Sequence, residues 1–145
     1  MRLWPLLLAS AATGCHRQDA TGQARVGDLR ISEVFAFEPV TRDEAAVYFK
    51  VRNTGGSADS LIGASAEGAR GAMIHGPGSG RAMMRELGGF SIPAHSEIRL
   101  EPGGLHLMLM GLDRIPRAGE RLDLSLVFQR AGRATIEAPV RPYGQ

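Results

Sequence analysis

Arg121-Leu122-Asp123-Leu124-Ser125-Leu126-Val127-Phe128-Gln129 is the stretch that decides the fold class. Leu122, Leu124, Leu126 and Phe128 fall on one side of an extended chain, and Arg121, Asp123, Ser125 and Gln129 on the other. A period of two with one apolar face is the mark of a half-buried β-strand; a helix would repeat its apolar stripe every three to four residues. Downstream, Ala131-Gly132 breaks the run, and Ala134, Ile136 and Ala138 alternate again, so the chain turns back on itself.

The same grammar extends upstream. Leu105 to Gly111 and Ser96 to Leu100 are joined by Glu101-Pro102-Gly103-Gly104, a tight turn. Arg81 to Glu86 returns from the loop Gly76-Pro77-Gly78-Ser79-Gly80, which is entered from Arg70 to His75. Asp59 to Ser65 is a weaker strand around Leu61 and Ile62. Ala45 to Arg52 points Val47, Phe49 and Val51 inward and ends at the turn Asn53-Thr54-Gly55-Gly56. Leu29, Ile31, Phe35 and Phe37 share a parity, with Arg30, Ser32 and Glu38 opposite, which predicts a strand with both phenylalanines on its buried side. Eight or nine short strands at intervals of about ten residues, with no helical periodicity after the N-terminal segment, predict an all-β, antiparallel β-sandwich.

A chain of 145 residues is enough for one such domain and too short for two. The formal charge is +2, and Lys50 is the only lysine. The arginines are dispersed among acids rather than gathered into a run, so nucleic acid is not an expected partner. At the N-terminus, Arg2 precedes the apolar run Leu3 to Ala12, and Thr13-Gly14 lead into Cys15, the single cysteine. A charged start, a short apolar core and small residues before a cysteine resemble a bacterial lipoprotein signal, with Cys15 acylated as the first mature residue; a plain secretory signal is the alternative. The expected organisation is a signal peptide over 1–14, a tether over 15–24 that includes His16, and a domain over 25–145. The expected location is the periplasmic face of a bacterial membrane, held there by lipid, or the soluble periplasm. Losing Arg2 with the signal leaves 16 of the 17 basic residues against 15 acidic ones. With one cysteine, no disulfide forms within the chain, and thiolate-based copper electron-transfer sites and cysteine proteases are excluded.

Side-chain chemistry is concentrated in the middle. Five of the six methionines (Met73, Met83, Met84, Met108, Met110) and three of the four histidines (His75, His95, His106) lie between 73 and 110. In His106-Leu107-Met108-Leu109-Met110 the leucines take one face, which places the His106 imidazole and the Met108 thioether side by side on the other. A hairpin closing around Ser79-Gly80 pairs residues whose numbers sum to 159, which sets His75 directly opposite Met84. Two such pairs brought together make a neutral His₂Met₂ set. Soft thioethers disfavour zinc, magnesium and calcium, and a neutral site leaves less desolvated charge around Cu(I) than around Cu(II). The competing reading is plain packing, with methionine filling gaps and histidine bonding the backbone. Met83 should point to the opposite face, Met73 and Met110 have the right parity but read as packing, and His95 reads as a surface turn residue. No nucleophile elbow, His-Glu-x-x-His or phosphate-binding loop appears, so an enzyme is not expected.

At these residues the chain resembles the periplasmic copper chaperones known as PCu(A)C proteins, whose signature is His, ten residues, Met, twenty-one residues, then His-x-Met. Met84 and His106 are separated by twenty-one residues, and His106-Leu107-Met108 supplies the final element. The similarity runs from Leu29 to Val140 through Ala45-Ala46-Val47-Tyr48, Asn53-Thr54-Gly55-Gly56, Ile92-Pro93-Ala94 and Pro102 to Leu112. The departure is that eight residues, not ten, separate His75 from Met84; an even deletion leaves both on one face. The resemblance implies a cupredoxin-like Greek-key sandwich and Cu(I) held by His75, Met84, His106 and Met108. It further implies delivery of copper to the binuclear centre of cytochrome c oxidase subunit II, alongside Sco-type thiol proteins, by a monomer. A copper-buffering or resistance protein, or a structural lipoprotein without metal, are the competing functions.

Overall fold

The computed structural model describes residues 23–41, 43–78 and 84–144. They form eleven strands and no helix. In chain order these are β1 (Ala24–Val26), β2 (Leu29–Phe37), β3 (Glu44–Asn53), β4 (Asp59–Ala66), β5 (Ala69–Pro77) and β6 (Met84–Leu87). There follow β7 (Phe90–Ile92), β8 (Glu97–Arg99), β9 (His106–Leu112), β10 (Arg121–Phe128) and β11 (Gly132–Arg141). The strands that local alternation did not reveal, β1 and β7, span three residues each, too few to carry a period. Ala24, assigned by the sequence to the tether, already belongs to β1; the signal segment, Cys15 and His16 lie outside the described residues.

Hydrogen bonding runs in the order β6-β5-β9-β3-β2-β11-β10-β4-β7, with β1 added on β2 and β8 on β3. The pairings are antiparallel except for Val140 and Arg141, which run parallel to Ala36 and Phe37 as β11 leaves β10 for β2. Sequence neighbours are repeatedly separated in this order, which is the Greek-key, cupredoxin-like sandwich. Between the layers lie Leu29, Ile31, Val47, Phe49, Leu61, Leu107, Leu109, Leu124, Leu126, Phe128 and Ile136, all essentially inaccessible. Asn53 fixes the turn after β3. Its amide donates to the carbonyls of Ser57 and Ile92, and its Oδ1 accepts from the Gly55 amide.

One expected face is reversed. Val34 and Ala36 point into the core, while Phe35 and Phe37 lie on the outer surface of the sheet. The cause is a bulge: Ser32 pairs with Lys50 and Phe35 with Tyr48, so Glu33 and Val34 together oppose Phe49. Glu33 takes φ 54°, and the extra residue inverts the parity of everything after it. The displaced rings pack with Tyr48, their centroids 5.1 and 5.9 Å from it, and Arg141 stacks over Phe35 at 4.3 Å.

Candidate metal centre

Strand alternation gives β5 and β9 one buried and one outward face. Ile74, Leu107 and Leu109 anchor the inner one. Gly76 continues that inner face, where an added Cβ would come within 2.6 Å of Leu87. The chain is therefore still strand at Gly76 and Pro77, which the sequence assigned to a loop. On the outer face, antiparallel pairing sets His75 opposite His106 and, one rung along, Met73 opposite Met108. The two imidazoles meet edge to face with centroids 5.4 Å apart. A metal about 2 Å from each of two imidazole nitrogens at a tetrahedral angle separates the ring centres by about 5 Å, so the rings fit a shared ion.

His106 is buried, and its Nδ1 lies 2.9 Å from the Gly104 carbonyl oxygen. A carbonyl can only accept, so the proton of the neutral ring sits on Nδ1 and the lone pair on Nε2. That is the usual means of orienting a ligating histidine. On the β3 side, Tyr48 walls the ring at 6.4 Å, and small Ala46 lies opposite Met108. Burial, and after it the neighbouring Tyr143 phenol, raises the Tyr48 pKa above 10.0, so its hydroxyl stays neutral. The donors converging here are uncharged nitrogen and sulfur, a set for a soft, low-charge cation. Glu86 and Glu44 border it as exposed residues, but no group of three His, Cys, Asp or Glu able to hold a metal occurs among the described residues.

The hairpin register differs from expectation. β5 and β6 pair with a sum of 161, so His75 faces Glu86 and Met84 faces Pro77. Pro77, which has no N–H to donate, forms with Met84 the last pair of this ladder among the described residues. Because the shift is even, Met84 keeps its face, but it stands diagonally one rung beyond His75. Met83 lies outside the described residues. Met110 is opposite Gly71 and Glu44, one rung beyond Met108. His95 is an exposed turn residue at φ 56°, its amide bonded to the Gly55 carbonyl, as the sequence indicated.

Residues 29–140 match the family described as "Putative lipoprotein LpqE-like". The chain belongs to the LpqE-like family. This LpqE-like chain is 32% identical over 101 residues to "Putative lipoprotein Lxx21020" of Leifsonia xyli subsp. xyli (strain CTCB07). The alignment covers 68% of the chain and 61% of that relative, so the chain spans about three-fifths of the relative's length. Its fold is that of solved PCuAC domains. The copper-bound PCuAC domain from PmoF2 superposes with a TM-score of 0.74 at 26% identity, covering 83% of this chain and 97% of that one. The apo PCuAC domain from PmoF1 gives 0.74 at 27%, covering 83% and 98%. The CuI-DR1885 solution structure from Deinococcus radiodurans gives 0.62 at 26%, covering 83% and 80%.

In this LpqE-like protein the sequence reading set Met73 down as packing and did not place it opposite Met108, as the strand register does. The signal was present: Met73-Ile74-His75 is His106-Leu107-Met108 in reverse, with Ile for Leu. Antiparallel strands align reversed sequences, so once the histidines face each other the methionines must as well.

Proposed function

We propose that this protein is an exported copper chaperone that holds Cu(I) on the outer face of the β5–β9 strand pair and passes it to an acceptor protein. The observation that carries this is the direct pairing of His75 with His106, Met108 one rung away on the same face, in a chain whose fold is that of copper-bound PCuAC domains. His75, His106 and Met108 are proposed as ligands; Met84, which the family spacing put in the set, stands one rung beyond them on the edge strand β6. The donors bind as neutral ligands and, apart from buried His106, are half-buried, so a monovalent soft ion is retained without a large desolvated charge. Transfer is ligand exchange: an acceptor's thiolates displace the weaker thioethers one at a time, and the metal stays Cu(I) throughout.

The proposed setting is the periplasmic side of a membrane, with lipid on Cys15, supported by the lipoprotein names of the family and of the Leifsonia relative. The proposed acceptor is the binuclear copper centre of cytochrome c oxidase subunit II, reached alone or through a Sco-type thiol protein, with this chain acting as a monomer. The role is binding and transfer rather than catalysis.

The test is His106→Ala/Met108→Ala. In an anaerobic competition titration the wild-type protein takes up one Cu(I), and the double variant binds more than about a hundredfold more weakly, since losing two ligands exceeds losing their supporting groups. A bacterium carrying only that variant loses oxidase activity at low copper. Unchanged affinity removes the site, and copper sensitivity with intact oxidase activity favours buffering over delivery.

A further inference from the structure

Strand register separates the methionines more sharply than motif spacing does. Met84 lies two strands from Met108 and, counted along the strands, four residues from it, because Pro77 and Met73 are their respective partners on β5. That is about 10 Å across the sheet and about 13 Å along it. With a metal–sulfur bond of about 2.3 Å and a sulfur about 3 Å from its Cβ, two methionines share an ion only when their Cβ atoms lie within about 10 Å. Met84 and Met108 exceed that limit in this register. Met73 and Met108, as directly paired residues, have Cβ atoms about 5 Å apart.

Met73 also has the freedom to ligate. It is only half-buried, on the face shared with His75. Beside Met108 on β3 is Ala46, which leaves that thioether room to lean toward β5. The rung beyond, Gly71 with Met110, offers a single thioether with no side chain opposite it on β5 and Glu44 opposite it on β3. Two adjacent rungs thus hold a closed square of donors: His75 and His106 on one, Met73 and Met108 on the other. We infer that Met73 is the second thioether ligand of the Cu(I) site, completing a His₂Met₂ set from β5 and β9 alone, with Met84 outside it. The inference rests on reading this face as a Cu(I) site. It also gives the reversed motif a chemical meaning: two inverted copies of one three-residue His-x-Met unit clasp one ion. Met84, one rung beyond the histidines on the edge strand, is then free to engage an incoming acceptor.

The experiment compares full-length wild-type protein, Met73→Leu and Met84→Leu, each titrated anaerobically with Cu(I) against a chromophoric competitor. X-ray absorption counts the sulfur neighbours in each copper-loaded protein. Leucine keeps volume and apolarity, so both variants fold. Expected are a loss of affinity of at least about tenfold in Met73→Leu and no more than about threefold in Met84→Leu. Two sulfurs are expected in the wild type and Met84→Leu, and one in Met73→Leu. Should Met73→Leu titrate like wild type, or Met84→Leu lose a sulfur while Met73→Leu keeps two, the assignment to Met73 is overturned while the copper site stands. A wild-type protein that takes up no Cu(I) overturns both.

Discussion

Asp59 stands at the corner where β10 turns into β11. Its carboxylate accepts hydrogen bonds from the backbone amides of Ser60, Arg130 and Ala131 at 2.7 to 2.9 Å. Burial works to raise its pKa, but the three amides, with the Arg130 charge, outweigh it and hold the group below the ordinary 3.8. A carboxyl with a depressed folded pKa stabilises the protein fully above its unfolded value, and that contribution is lost as pH falls through the folded value. Asp59→Asn should therefore cost about 2 kcal/mol at pH 7, because an amide NH₂ group is set against backbone donors. The gap between variant and wild type should narrow below about pH 3.8. Urea unfolding at pH 7 and pH 3 measures both, and a pH-independent gap would mean that packing, not charge, is what Asp59 supplies. Nothing in the sequence marks this residue, since two of its three partners, Arg130 and Ala131, lie 71 and 72 positions away. His106 is the opposite case: strand alternation alone gave its face, and only its bond to Gly104 needed the structure.

At the scale of elements, legibility depended on whether a strand was regular. β10 alternates without interruption, and in β3 and β9 the inward Val47, Phe49, Val51, Leu107 and Leu109 are buried as the sequence indicated, although Tyr48 and His106 on the other face are covered as well. β2 does not alternate throughout, because its bulge is built on Glu33, a residue with no turn signature, held in the left-handed region that costs an ordinary L-residue about 1–2 kcal/mol. Glu33 remains there with its carboxylate bridging Lys50 at 2.7 Å and Arg99 at 2.9 Å, ion pairs too exposed to contribute much. Its function is to count: one extra residue sends Phe35 and Phe37 outward to Tyr48 and keeps Val34 and Ala36 in the core. Glu33→Gly, which keeps the count and relieves the φ, should stay within about 1 kcal/mol of wild type. Deleting Glu33 should cost more than about 3 kcal/mol and abolish the near-ultraviolet signal of the Tyr48 cluster, because either the core or the cluster must then be misfaced. Denaturant midpoints and circular dichroism of the two variants separate backbone count from side-chain chemistry. The β5–β9 pairing was similarly hidden, since two strands some thirty residues apart leave no local trace of their register beyond the reversed Met-x-His and His-x-Met.

For the whole molecule, the proposed donors occupy the outer surface of a sheet whose inner surface is the core, so on this proposal stability and metal binding are carried by opposite faces of the same strands. Leu107 is inaccessible between the layers, whereas His106 and Met108 on either side of it look outward. This arrangement predicts a double dissociation between neighbours in sequence. Leu107→Ala should destabilise the protein by about 3 kcal/mol through the cavity it leaves, yet the folded population should still bind one Cu(I) with nearly wild-type affinity. Met108→Ala should leave unfolding in the absence of copper within about 1 kcal/mol of wild type and remove most of the affinity. Cu(I) at a hundred times its dissociation constant stabilises the native state by about 2.7 kcal/mol. For a domain of this size that raises the thermal midpoint by about 10 °C, and it should do so in Leu107→Ala but not in Met108→Ala. Calorimetry of the two variants with and without copper decides the matter. If Met108→Ala unfolds as readily as Leu107→Ala before any metal is added, the methionine is part of the packing, and the separation of core face from metal face fails with it.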